Sequence, residues 1–195
     1  MSLILAKNIS EFKNFSHTDS KLIIYERRAP EGSANFFKKL IKIDFSVNAE
    51  ISKFDTKNNI KSALSDVLSF EIKSSIFYEI WINDITHVCE IFCDIQNTSS
   101  ISMWIGSKRG CKRFHIDNVP QRLLVTYSVK GTEWLPDAAA DKSAYLNGEP
   151  NEKMFDKADL ILFFVSNLLI SALTEKSILI RFLKKFAEPL GTFLS

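Results

Sequence analysis

Cys111-Lys-Arg-Phe-His-Ile-Asp-Asn-Val-Pro-Gln-Arg-Leu-Leu-Val-Thr-Tyr127, with Gly131-Thr-Glu-Trp-Leu135 close behind, is where this chain commits itself to a β-rich half. Polar and apolar residues alternate through 113–117. In an extended strand residues i and i+2 share a face. His115 and Asp117 therefore project together, while Phe114 and Ile116 turn the other way into a core. A neutral imidazole and a carboxylate on one side of a strand supply two of the three ligands of a non-haem Fe(II) facial triad. His115 must be neutral to ligate, so affinity for a metal would fall at low pH. The plain alternative is that Asp117 holds His115 by a hydrogen bond and no metal is involved.

Working outward, residues 101–105, 113–117 and 122–127 read as strands, joined by 106–110 and by Asn118-Val-Pro120. Upstream, residues 21–25 form a β-prone run that ends in a turn over 27–32, where Pro30 and Gly32 punctuate the chain. Ser33 is placed to cap a helix over 34–43, with Phe36, Phe37, Leu40 and Ile41 as its apolar stripe. Asn58-Asn59 opens a second helix through 68. Residues 72–95 keep a helical period, with Ile76, Ile80, Asn83 or Asp84, His87, and Glu90 or Ile91 on successive turns. Downstream, 136–157 is polar and turn-rich, a surface excursion rather than a linker. The apolar run 160–174 is shorter than the roughly 20 residues a membrane span needs. It reads as a buried strand or helix.

These elements predict one α+β domain over 1–195, helix-rich over 1–95, β-rich over 98–135, and ending in an apolar segment over 158–195. Its 195 residues suffice for a sizeable core. Hydrophobic residues at 46% and charged residues at 25% fit an ordinary globular protein. With only six Gly, no dinucleotide fingerprint, phosphate loop or H-E-x-x-H occurs. A net charge of +2 gives no reason to expect a nucleic-acid or membrane partner. The first seven residues lack the basic start and cleavage site of a leader. Three Cys are too few and too odd for a disulfide framework, which points to a reducing, cytoplasmic setting.

The segments Cys-x-Arg-Phe-His-x-Asp, Arg-Leu-Leu-x-Thr-Tyr and Gly-Thr-Glu-Trp-Leu resemble the bacterial DUF1826 family, across roughly residues 20–150. Relatives in that family usually carry a further His-Arg-Ser/Thr-Pro segment downstream, then a strand with an Arg. This chain has no His after His115. The order of H-x-D, strand and Arg also resembles the Fe(II)/2-oxoglutarate oxygenase superfamily. That resemblance implies an antiparallel β-sandwich or double-stranded β-helix core with the N-terminal helices packed on it. It further implies a second ligating His on a later strand and an Arg clamping the carboxylate of 2-oxoglutarate. The only Arg beyond Arg122 is Arg181, in a β-prone run, where an edge-strand or helix-surface charge is the plainer use.

Other residues near the motif extend the candidate site. Cys111 lies four residues before His115, about 13 Å away in a continuous strand, so only a bend over 110–113 would bring its thiolate to a shared metal. A Cys111, His115, Asp117 set would suit Zn²⁺ better than Fe(II), because thiolate is soft. Cys89 and Cys93, at i and i+4 near His87, read as core rather than ligands. Lys108, Arg109, Lys112 and Arg113 form a basic loop cluster able to receive an anionic group. Arg122, Thr126, Tyr127, Glu133 and Trp134 are expected near the pocket wall, with Arg122, Tyr127 and Arg181 as the candidate substrate or cosubstrate contacts.

Two function classes follow. One is a non-haem iron enzyme using Fe(II), 2-oxoglutarate and an unknown small substrate, with the alternative that this chain has lost the site and keeps only the scaffold. The other is a non-catalytic zinc-binding accessory protein of metal homeostasis. Neither substrate, metal nor oligomeric state is legible in the residues.

Overall fold

A computed structural model describes residues 3–17, 22–27, 29–107, 121–127, 132–134, 140–153, 163–165 and 179–183. Leu3–Leu5 (β1) pairs in parallel with Leu22–Ile24 (β2), and a 3-10 stretch, Ile9–His17, lies between them in sequence. Then come Ala34–Leu40 (α1), Ser46–Ser52 (β3), Thr56–Leu64 (α2), Phe70–Lys73 (α3) and Ile76–Gln96 (α4). Ser100–Gly106 (β4), Arg122–Thr126 (β5), Thr132–Trp134 (β6), Lys142–Leu146 (α5), a second 3-10 stretch at Asn151–Lys153, Phe163–Val165 (β7) and Leu179–Leu183 (β8) complete the described elements. Strands β3, β4, β8 and β5, in that spatial order, form an antiparallel sheet. Strands β6 and β7 form a separate antiparallel pair. The chain is α+β.

Alternation builds the sheet's inner face. Ile51 on β3, Ile101, Met103 and Ile105 on β4, and Leu123 and Val125 on β5 are all buried. Helices α2 and α4 pack on β3 and β4, and Ile60, Leu64, Ile82, Ile85, Val88 and Phe92 complete one core cluster. Burying each such side chain is worth about 1.5–3 kcal/mol, so this contiguous layer dominates the stability.

Serine and asparagine set the helix boundaries. The Ser75 hydroxyl accepts a hydrogen bond from the Phe77 amide and starts α4 afresh, so the helical period expected over 72–95 is split into α3 and α4. Asn97, at φ 47°, ends α4 in the left-handed conformation that Asn tolerates. Ser33 stands at the head of α1 but does not cap it. Its hydroxyl donates to the Pro30 carbonyl at 2.7 Å, and α1 ends at Leu40. Helix α2 begins at Thr56, before Asn58-Asn59, and stops at Leu64.

The residues that mark the helical period on successive turns are not the ones that form the buried face of α4. Ile76 is 72% exposed, Ile80 38%, and His87 is exposed. The buried face runs through Tyr78, Trp81, Ile82, Ile85, Val88, Cys89 and Phe92. Apolar residues occur on more than one side of this helix, and packing against the sheet and α2 selects among them. Cys89 and Cys93 are free thiols in that core, and burial raises both their pKa values. Strand β8 is interior, between β4 and β5, so Arg181 is not on an edge strand; it sits in register with Trp104 and Leu124. Among the described residues, no helix is long and apolar enough to cross a membrane.

Candidate binding cleft

Helix α4 presents Phe77, Ile80, Trp81 and Asp84 to one side, the i, i+3, i+4, i+7 spacing of a single helix face. Three of these are apolar, and Asp84 is the acidic exception. Opposite them, the chain after β2 places Arg27, Ala29, Pro30 and Ser33. Gly32 turns that segment at φ 77°, and a Cβ there would lie 3.2 Å from the Phe77 ring. Phe37 from α1 and Tyr127 from the end of β5 close the remaining wall of a cleft of about 330 Å³.

Tyr127 reaches Asp84 because strand and helix run back along each other. The Gln96 side chain at the C-terminal end of α4 donates to Gln121 just before β5. From there the six extended residues to Tyr127, five of them β5, rise about 20 Å, while the twelve residues back to Asp84 span about 18 Å of helix. Leu123, Val125 and Tyr127 share the buried face by alternation.

Three side chains from three elements meet on the wall. Arg27 Nη1 donates to Asp84 Oδ1 at 2.5 Å, and Nη2 to Oδ2 at 2.9 Å, a bidentate pair. The Tyr127 hydroxyl donates to Oδ2 at 2.5 Å. The guanidinium carbon lies 5.9 Å from the Tyr127 ring centroid. Phe37 stacks on that ring at 5.7 Å, and Trp81 meets it edge-on at 6.2 Å. The buried Trp81 indole N–H has no hydrogen-bond partner among the described residues.

Burial pushes the Tyr127 phenol well above its usual range; the Asp84 charge adds to this and Arg27 offsets part of it. Burial works against the Arg27 charge, but the hydrogen bonds and charge of Asp84 outweigh it, and its pKa rises. At neutral pH Tyr127 is therefore a neutral donor and Arg27 a fixed cation. The set is a recognition surface, with aromatic walls and a few convergent polar groups.

The sequence-derived site residues fall in different places. Cys111, His115 and Asp117, with the basic cluster of Lys108, Arg109, Lys112 and Arg113, lie outside the described residues. Tyr127 lines the cleft. Arg122 stands at the other end of β5, about 17 Å along the strand, in register with Ser102 and Leu183. The backbone of Arg181 is mid-strand in β8, and its side chain, like those of Glu133 and Trp134 on β6, lies outside the description. Among the described residues, no group of three or more His, Cys, Asp or Glu side chains could hold a metal ion. Arg27 and Asp84 as partners were missed from sequence. An Asp on an otherwise apolar helix face was the available signal, but nothing local pairs it with an Arg 57 positions away.

The fold and the cleft define an α+β protein with an aromatic-walled polar constellation among its described residues. Residues 6–162 match the family model described as "Protein of unknown function (DUF1826)", and the chain belongs to that family. No curated protein and no solved structure matches it.

Proposed function

We propose that this protein binds a small, largely apolar organic molecule in the cleft between α4, α1 and the 27–33 turn, oriented by Arg27 and Asp84. The observation that carries this reading is the convergence of Arg27, Asp84 and Tyr127 from distant positions onto a cavity of about 330 Å³ walled by Phe37, Phe77 and Trp81. Small-ligand sites have this composition and a volume upwards of about 300 Å³. Ile80→Arg tests it, because residue 80 lines the cleft yet is 38% exposed, so an Arg fills the cavity without entering the core. Aromatic fragments should raise the melting temperature of the wild type and leave Ile80→Arg unmoved. Equal shifts in both proteins would place binding elsewhere.

A second reading rests on the sequence. The alternation over 113–117 and the oxygenase-like order of His115, Asp117 and Arg181 favour a divalent metal, Fe(II) or Zn²⁺, held by His115 and Asp117 with Cys111 as a thiolate candidate. In that reading the core is double-stranded-β-helix-like and the cleft receives the substrate, with 2-oxoglutarate anchored at Arg181. The stretch bearing these residues begins after Ser107, at the sheet end where Gly106, Leu179 and Thr126 stand in register and Tyr127 meets the cleft. With two clear ligands, weak Fe(II) binding and little succinate production are expected, tight binding going to Zn²⁺ through Cys111. Elemental analysis of the purified protein with and without His115, and Zn²⁺ titration of Cys111→Ser, decide it. Metal content unchanged in His115→Ala would end this reading, as robust succinate release lost in Asp117→Ala would end its degenerate form.

A further inference from the structure

We infer that the cleft selects an uncharged, flat ligand carrying an amide-type edge, a carbonyl acceptor next to an N–H donor. This rests on the binding reading above and narrows its chemical class.

The charge balance comes first. Among the described residues, the charged side chains lining the cleft are Arg27 and Asp84, and they neutralise each other. Tyr127 stays protonated because it is buried. A ligand carboxylate or ammonium would lose water in this cleft and meet no uncompensated opposite charge among the described residues, which is costly. A neutral ligand avoids that loss.

The hydrogen-bond balance comes second. A guanidinium carries more N–H donors than one carboxylate takes up, and a carboxylate offers about four lone-pair sites. Asp84 accepts two bonds from Arg27 and one from Tyr127. Tyr127 closes the Oδ2 side of the pair. On the Oδ1 side, among the described residues, an Nη1–H and an outer lone pair of Oδ1 stand next to each other. Both side chains keep surface, at 20% and 31% exposure. A donor beside an acceptor in one plane is the complement of a cis-amide edge: the ligand carbonyl accepts from Arg27 while its N–H donates to Asp84. The aromatic walls supply the third constraint. Phe77 and Ile80 keep apolar surface at the cleft for a ring carrying that edge, backed by Phe37, Trp81 and Tyr127, which are buried and fixed by mutual stacking and edge contacts.

The test uses the wild-type protein and five bicyclic probes in isothermal titration at neutral pH. Quinolin-2-one carries the amide edge. Its N-methyl derivative lacks the donor, and quinoline lacks the amide. Quinoline-2-carboxylate and N-methylquinolinium carry a negative and a positive charge. Quinolin-2-one should bind at least about tenfold more tightly than each of the others, the scale of one well-made hydrogen bond. Ile80→Arg should abolish its binding. If quinoline or the N-methyl derivative binds as tightly as quinolin-2-one, the amide-edge inference falls and the cleft reading stands. If either charged probe binds best, the neutrality argument falls. If no probe binds, both the inference and the cleft reading fall.

Discussion

Asp84→Ala is the sharpest perturbation of this molecule, because one carboxylate holds together three elements that share no local sequence. Removing one partner of a fully buried ion pair costs about 3–5 kcal/mol. Arg27 and Asp84 retain 20% and 31% exposure, so water recovers part of that, leaving roughly 2–3 kcal/mol. The buried Tyr127 hydroxyl also loses its acceptor, worth about 1 kcal/mol. The two losses overlap, and a net of about 3 kcal/mol is expected. At about 2–4 °C per kcal/mol for a chain of this size, the melting temperature should drop by roughly 6–12 °C. Urea denaturation at pH 7 of Asp84→Ala, Arg27→Met and the double variant measures the coupling directly. The double variant should recover part of the loss, because no stranded charge remains. A loss below about 1 kcal/mol for Asp84→Ala, or a coupling below about 0.5 kcal/mol, would refute the view that this pair ties the 27–33 turn to α4.

Three further outcomes are expected. The Tyr127 pKa is raised in the folded state, so above pH about 10 the unfolded chain releases a proton that the folded chain keeps, and stability falls with rising pH. Tyr127→Phe should flatten that alkaline decline in a pH series of denaturation curves, and unchanged slopes would contradict the assignment; Cys89 and Cys93 contribute in the same direction from lower pH in both proteins. Gly106→Ala puts a Cβ 2.8 Å from the Phe45 carbonyl and the Trp104 ring and should cost about 1–3 kcal/mol, read by thermal melting; a neutral result would mean that the sheet end yields easily. Ile60→Ala, at a fully buried position under α2, should lose about 2–5 kcal/mol in the same assay, and a loss under about 1 kcal/mol would place Ile60 outside the core.

Local pattern made much of the fold legible. The β-prone run near 22–24, the helix following Ser33, a second helix through Asn58-Asn59, the long helix toward Gln96 and the strands at 100–106 and 122–126 all carry their period in consecutive residues. Strand β3 went unread although Val47, Ala49 and Ile51 alternate with Asn48 and Glu50, because the expected start of the β-rich half lay near residue 100. The helical period over 72–95 left open which side of α4 meets the core. Ile76 and Ile80 satisfy the helical period as well as Tyr78 and Ile82 do, and only the partner surfaces choose between them.

By itself, then, the sequence determined the class, α+β, the main elements and the family, because each of these depends on residues close together or on a contiguous motif. Tertiary structure alone decided that the 179–183 strand enters between β4 and β5, that Arg122 and Tyr127 stand at opposite ends of one strand, and that Arg27 meets Asp84 and Tyr127. The physical reason is the same in each case. An ion pair spanning 57 positions and a strand order that skips along the chain leave no period in neighbouring residues; they exist only once burial has brought distant segments together.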